Sequence, residues 1–184
     1  MRNIFLWIAI GVGIFLALRL GQNSPRGARS LVGKKAPALH LTQWIPNKPD
    51  TSGKFLLLDF WATWCPPCRR SIPKLNQIQQ QFTNQLVVIG ITSEPESTVR
   101  SFYKKHIHYW VGIDSQNEMA SKIQLRYIPH ALLVDPEGIV RWQGNPATGE
   151  LTPKLIQKLI QEYHQLKTSH YQPPLTPKAT ASLH

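Results

Sequence analysis

Cys65 and Cys68 are the only cysteines in this 184-residue chain, and Pro66 and Pro67 separate them. They follow an apolar run, Phe55 to Ala62, and open a stretch with helical spacing, Cys65 to Phe82. A strand that delivers a C-x-x-C pair to a helix N-terminus makes one thiol reactive. Free backbone N–H groups and the positive partial charge of the helix end favour thiolate over thiol there. Cys65 is therefore the candidate nucleophile, and Cys68 is close enough to resolve the mixed disulfide that forms. The implied chemistry is dithiol–disulfide exchange. The two prolines lack N–H donors and stiffen the loop, so they tune the thiolate. Zinc needs four ligands, and no second C-x-x-C pair accompanies the first. A purely structural disulfide in an oxidising compartment is the remaining alternative.

The elements that must position this pair are readable from apolar spacing. Phe55 to Ala62 is apolar except for Asp59, and its length suits a strand buried on both faces. Ile72, Leu75, Ile78 and Phe82 mark the inward side of the helix after it, which Pro73 is expected to kink. Leu86–Thr92 reads as a second buried strand, Glu96–Lys105 as a helix, Tyr109–Ile113 as a strand and Glu118–Leu125 as a short helix. Ala131–Val134 and Ile139–Gln143 form two strands joined by Asp135-Pro136-Glu137-Gly138, a hairpin turn sequence. Leu39–Trp44 alternates like a short opening strand. Leu151–Leu166 is an amphipathic closing helix with Leu155, Ile156, Leu159, Ile160 and Tyr163 inward. Strands and helices that alternate and then end in an antiparallel pair predict a mixed α/β sandwich.

The net charge of +11 is unevenly distributed. Residues 1–38 carry Arg2, Arg19, Arg26, Arg29, Lys34 and Lys35 and no acid. No basic helix face is interleaved with aromatics, so nucleic acid is not the expected partner. The excess sits beside an uncharged apolar segment, Ile4 to Leu18, and anionic lipid headgroups fit it better. That segment is short for a span, which needs roughly 17–25 residues. No small-x-small cleavage site follows it, and Arg19 can snorkel to the interface. Residues 1–20 are read as a membrane anchor or signal segment, 21–31 as a linker, 32–167 as one globular domain and 168–184 as a disordered tail. The flanking charges taken alone place the domain on the cytoplasmic side.

Leu58-Asp59-Phe60-Trp61-Ala62-Thr63-Trp64-Cys65-Pro66-Pro67-Cys68 resembles the active-site segment of thioredoxin-fold proteins. More narrowly, the chain is similar to the TlpA-like thiol–disulfide oxidoreductases. The likeness includes Gly33-Lys34-Lys35-Ala36-Pro37 with Leu39 and Leu41, Gly53-Lys54, Arg69, Pro73, Ile128-Pro129, Asp135 and Gly138. It implies a thioredoxin-like three-layer sandwich, a central mixed sheet with helices on both faces, preceded by the N-terminal membrane segment. It also implies a single-pass protein of the inner membrane with its catalytic domain on the extracytoplasmic, periplasmic side.

Carried over position by position, the resemblance makes Pro129 a cis-proline facing the redox pair. Ile128 becomes a backbone for strand-like pairing with a client. Trp64 should border the active surface. His130 directly follows Pro129 and is expected near Cys65, where it would stabilise the thiolate or join a soft metal site; the alternative is a solvent-facing histidine with no role. Asp59 falls where thioredoxins bury an acid; there its pKa should rise, and it could take the Cys68 proton. Many TlpA-like reductases carry glutamate three residues after the second cysteine, where this chain has Ser71. No cofactor beyond the cysteine pair is implied. The implied partners are client proteins with disulfides or thiols, such as apocytochromes, and a membrane electron donor of the thiol-reducing type. Two other functions use the same residues: a disulfide-donating oxidant, and a copper-binding or delivery module built on Cys65, Cys68 and His130.

Overall fold

A computed structural model describes residues 30–170. The expected membrane segment, most of the linker and the tail beyond residue 170 lie outside the described residues. Among the described residues, no helix is long and apolar enough to cross a membrane.

Six strands form one sheet in the order β1-β4-β3-β2-β5-β6. They are β1 (Gln43–Ile45), β2 (Phe55–Phe60), β3 (Leu86–Thr92), β4 (Trp110–Ile113), β5 (His130–Val134) and β6 (Val140–Gly144). The helices are α1 (Pro66–Gln81), α2 (Glu96–His106), α3 (Glu118–Lys122) and α4 (Pro153–His170). β2, β3 and β4 run parallel, while β5 pairs antiparallel with β2, β6 with β5 and β1 with β4. All seven β3 residues are buried, as are five of the six in β2. This is why both read as continuous apolar runs rather than alternating ones.

The sheet separates two apolar layers. One face packs Leu57, Trp61, Val88, Val111 and Leu133 against Ile72, Leu75 and Ile78 of α1, Val99 of α2, and Ile156 and Ile160 of α4. The other packs Leu58, Phe60, Ile89, Ile91 and Leu132 against Met119, Ala120 and Ile123 of α3, with Leu31, Leu39 and Leu41 laid over them. Leu31, expected in the linker, is thus part of the domain, and its N–H donates to Gln143 Oε1. Helices cover both faces of a mixed sheet, as the resemblance implies.

The differences from the expected elements have local causes. β4 ends at Ile113, and the edge it turns away from β3 pairs with Gln43–Ile45, so the chain from Leu39 to Leu41 packs against the sheet without joining its ladder. The opening segment contributes one bridge, Lys35 to Ile139. α3 stops at Lys122 rather than Leu125 because Gln124 adopts φ 53°. The Leu125 N–H then reaches the Ala120 carbonyl and the Gln124 N–H the Ser121 carbonyl, the bonding of a Schellman end. Pro73 lies inside α1 and does not interrupt it. α4 runs past the expected boundary at 167 to His170.

α1 is tied to β3 by Gln79, whose buried side chain accepts from the Val88 N–H at 2.7 Å and donates to the Leu86 carbonyl at 3.4 Å. These strand groups lie ahead of Ile89, where β4 begins to pair. Gln79→Ala would strand both groups in the core. It is expected to lower unfolding free energy by about 1–3 kcal/mol, read from the urea midpoint at unchanged slope.

Candidate active site

β2 ends at Phe60, and a four-residue turn carries the chain to Cys65, the N-cap of α1. Pro66 and Pro67 occupy the first two helical positions, where a missing N–H costs nothing. Their rings also remove two of the donors that a helix N-terminus would offer a thiolate. The donor that remains is the Cys68 N–H, and it points at Cys65 Sγ, 3.2 Å away. Cys65 and Cys68 are joined in a disulfide. Cys65 is 3% exposed and Cys68 is fully buried. Ser71 donates its hydroxyl to the Cys68 carbonyl at 2.7 Å.

The turn before Cys65 is held by a residue that sequence reasoning missed. Glu94 follows β3, and its two carboxylate oxygens accept from the Thr63 N–H and the Thr63 hydroxyl, each at 2.6 Å. No motif marks an acid in that loop. Only the sheet, which sets the end of β3 beside the end of β2, brings residues 31 apart into contact. Trp64, 70% exposed, stands at the rim of a groove of about 550 Å³ beside the disulfide. Cys65, Glu94, Arg126, Tyr127 and Ile128 line it as well. The Ile128–Pro129 bond is cis, and Pro129 is buried at the entrance to β5. A second cis bond, Ile45–Pro46, was not foreseen.

Asp59 lies in β2, paired with Gly90 of β3 and Ala131 of β5. Its side chain therefore shares a sheet face with Leu57 and Trp61, the face that α1 covers. It is completely buried, and neither carboxylate oxygen has a hydrogen-bond partner. Burial without a compensating donor pushes its pKa up to about 7. Asp59 is thus a buried acid on the face that α1 covers.

His130 departs from expectation. It pairs with Phe60 across β2 and β5, so it projects to the opposite face from Asp59. Its ring is buried rather than solvent-facing, stands edge-on to Tyr127 and meets Gln143 Nε2 at 3.1 Å through Nε2. Burial lowers its pKa and keeps it neutral at pH 7. Strand alternation thus puts its ring on the face opposite the one that α1 covers. Among the described residues, no three His, Cys, Asp or Glu side chains gather in a way that could hold a metal ion. The copper-binding set of Cys65, Cys68 and His130 is not assembled.

A mixed sheet of this order, with a cysteine pair at the N-terminus of the helix after its central strand, defines a thioredoxin-fold thiol–disulfide oxidoreductase. Residues 32–143 match the AhpC/TSA family, and the chain belongs to it. Thiol-disulfide oxidoreductase ResA of Bacillus cereus is 26% identical over 152 residues, covering 79% of each chain. Thioredoxin-like protein YneN of Bacillus subtilis is 29% identical over 136 residues, covering 70% of this chain and 78% of that one. A Chlorobium tepidum structure assigned as thiol:disulfide interchange protein DsbE superimposes with a TM-score of 0.59 at 26% identity, over 74% of this chain and 98% of its own. The chain is a TlpA-like thiol–disulfide oxidoreductase with Cys65 and Cys68 as its redox pair.

Two predictions follow from this geometry. Glu94→Ala should free the Thr63 amide, destabilise the turn by about 1–3 kcal/mol and speed hydrogen exchange at that amide accordingly. For Asp59, the folded-state pKa near 7 exceeds the unfolded value of 3.8. The folded protein therefore binds the extra proton between those values, and its stability falls as pH rises through that window. Asp59→Asn removes this dependence. Relative to the parent it should gain stability between pH 4 and pH 8 by on the order of 4 kcal/mol, measured by denaturant titration at both pH values.

Proposed function

We propose that this protein is a membrane-tethered reductant of disulfides in exported client proteins, working on the extracytoplasmic side of the inner membrane. The tether is the apolar segment Ile4–Leu18, and the placement rests on the resemblance to TlpA-like proteins. One observation carries the direction of electron flow: a single first-turn amide, that of Cys68, reaches the Cys65 sulfur. A thiolate supported by one donor is only modestly stabilised. A weakly stabilised dithiol is the better electron donor, whereas strong stabilisation of the reduced form makes an oxidant. Arg69 and Arg70 lie in the same turn but are exposed, and solvent and salt screen them.

In the reduced state the Cys65 thiolate attacks a client disulfide. A Cys65–client bond forms, and the first client thiolate leaves. Cys68 passes its proton to the Asp59 carboxylate and attacks the Cys65 sulfur. This closes the Cys65–Cys68 bond and releases the second client thiolate. Two electrons pass to the client, and a membrane donor of the thiol-reducing type restores the dithiol. Trp64 and Ile128 flank the groove that receives the client segment, with the backbone before Pro129 as its pairing edge. His130 supports that corner from the far face instead of touching the client. Apocytochrome thiols are the client class that the resemblance implies.

Cys65→Ser should reduce insulin disulfides no faster than background. Cys68→Ser should accumulate a dithiothreitol-sensitive mixed disulfide through Cys65, seen by mass spectrometry. A Cys68→Ser protein that turns over normally would contradict the assigned order of attack.

A further inference from the structure

The face of the sheet beneath α1 holds three buried polar side chains that lack partners: Asp59 through both carboxylate oxygens, Trp61 through Nε1 and Tyr109 through its hydroxyl. They converge on Gly90. Asp59 is the register neighbour of Gly90 in β2. A Cβ at Gly90 would lie 2.7 Å from Trp61 Nε1 and 3.3 Å from the Tyr109 ring. Any side chain at that position would push the indole and phenol off the strand, so the glycine is what lets both rings close over the residue beside Asp59. Orphaned buried polar groups are rare and costly. Four such atoms, two donor groups and two acceptor oxygens, on one face around one glycine form a matched set.

We propose that Trp61 and Tyr109 are positioning residues that donate hydrogen bonds to the Asp59 carboxylate once it ionises, and so hold the proton acceptor for Cys68. The proposal rests on the reading of Asp59 as that acceptor. Hydrogen bonds of this kind are often open in the resting enzyme and tighten when charge develops. The charge of Asp59 is one of the two causes, after burial, that raise the Tyr109 pKa well above its ordinary value. The phenol therefore keeps its proton and stays a donor throughout the working pH range.

Among the described residues, no other buried polar side chain on this face lacks a partner. α1 contributes Cys65 and Cys68, joined to each other, with Ser71 and Gln79, already bonded to backbone. α2 presents Val99, Phe102 and the half-buried Tyr103, α4 presents Ile156, Ile160 and Tyr163, and the Tyr163 hydroxyl is engaged with Glu137. β5 adds Ala131 and Leu133. No cation contributes to the Asp59 shift. In the step itself, the Cys68 thiol gives its proton to the Asp59 carboxylate, and the resulting thiolate forms the bond to Cys65 as the Cys65–client bond breaks. The two donors lose or gain no atoms.

The test uses the full 184-residue chain and Tyr109→Phe, which removes one oxygen and keeps the ring. The ¹³C carboxyl resonance of Asp59, assigned by its loss in Asp59→Asn, is titrated in both proteins. Tyr109→Phe should raise the midpoint by about one unit, a tenfold change in proton affinity. The rising limb of the kcat/KM pH profile should move with it. In the parent, the Trp61 indole N–H resonance should shift with the same midpoint and lose that titration in Asp59→Asn. This second readout covers the indole without cutting it from the core. A folded Tyr109→Phe protein with an unmoved Asp59 midpoint, or a Trp61 signal indifferent to Asp59, overturns the proposal. If instead Asp59→Asn resolves mixed disulfides at the parental rate, the acceptor reading fails, while a shifted Asp59 midpoint in Tyr109→Phe still establishes the donor set.

Discussion

The structure depends on one local constraint, the handover from β2 to α1. β2 is buried on both faces and hydrogen-bonded on both edges, by β3 and by β5, so its end is among the least movable points in the fold. After a four-residue turn the chain must start a helix with a sulfur as its cap. Glu94 holds the turn from the end of β3, the Trp61 N–H donates to the Ile91 carbonyl, and Gln79 anchors the far half of α1 to β3. Each tie runs to the strand beside β2, so the position of Cys65 is referred to the sheet and not to a loop. Rigid support of this kind is what an attacking group needs in order to meet its target with little reorganisation.

The same strand places Asp59 five residues before the turn ends, inside the layer that α1 covers. An acid there destabilises the fold whenever it is charged, and nothing in the packing requires one. The sheet tolerates it because a carboxyl near pKa 7 spends much of its time neutral. Proteins keep such groups where proton transfer needs them, and conflicts between local stability and burial gather at working sites. Ser71 puts no charge at the alternative acid position, so the proposed proton handling falls to Asp59.

Much of this was legible in the chain. Continuous apolar runs announced β2 and β3, the Asp135–Gly138 turn announced the β5–β6 hairpin, and C-x-x-C after an apolar run located the site. Asp59 stood out because it interrupts a buried strand. What escaped depends on register. Glu94 meets Thr63 only because two parallel strands end together, and Tyr109 reads as an ordinary strand residue until β4 is set beside Gly90. His130 was expected near Cys65 because it follows Pro129. Its true direction is set by its pairing with Phe60, which sequence spacing does not contain. The end of α3 turned on a positive φ at a glutamine, where no glycine signals it.

In the proposed direction of electron flow, a Cys65 thiolate supported by a single amide makes the pair an electron donor. The equilibrium reduction potential of Cys65–Cys68 in the full chain, poised against glutathione or dithiothreitol, tests it directly. The expected value is near that of thioredoxin, about −270 mV. A value near that of the strong oxidant DsbA, about −120 mV, would contradict it and reverse the direction of electron flow.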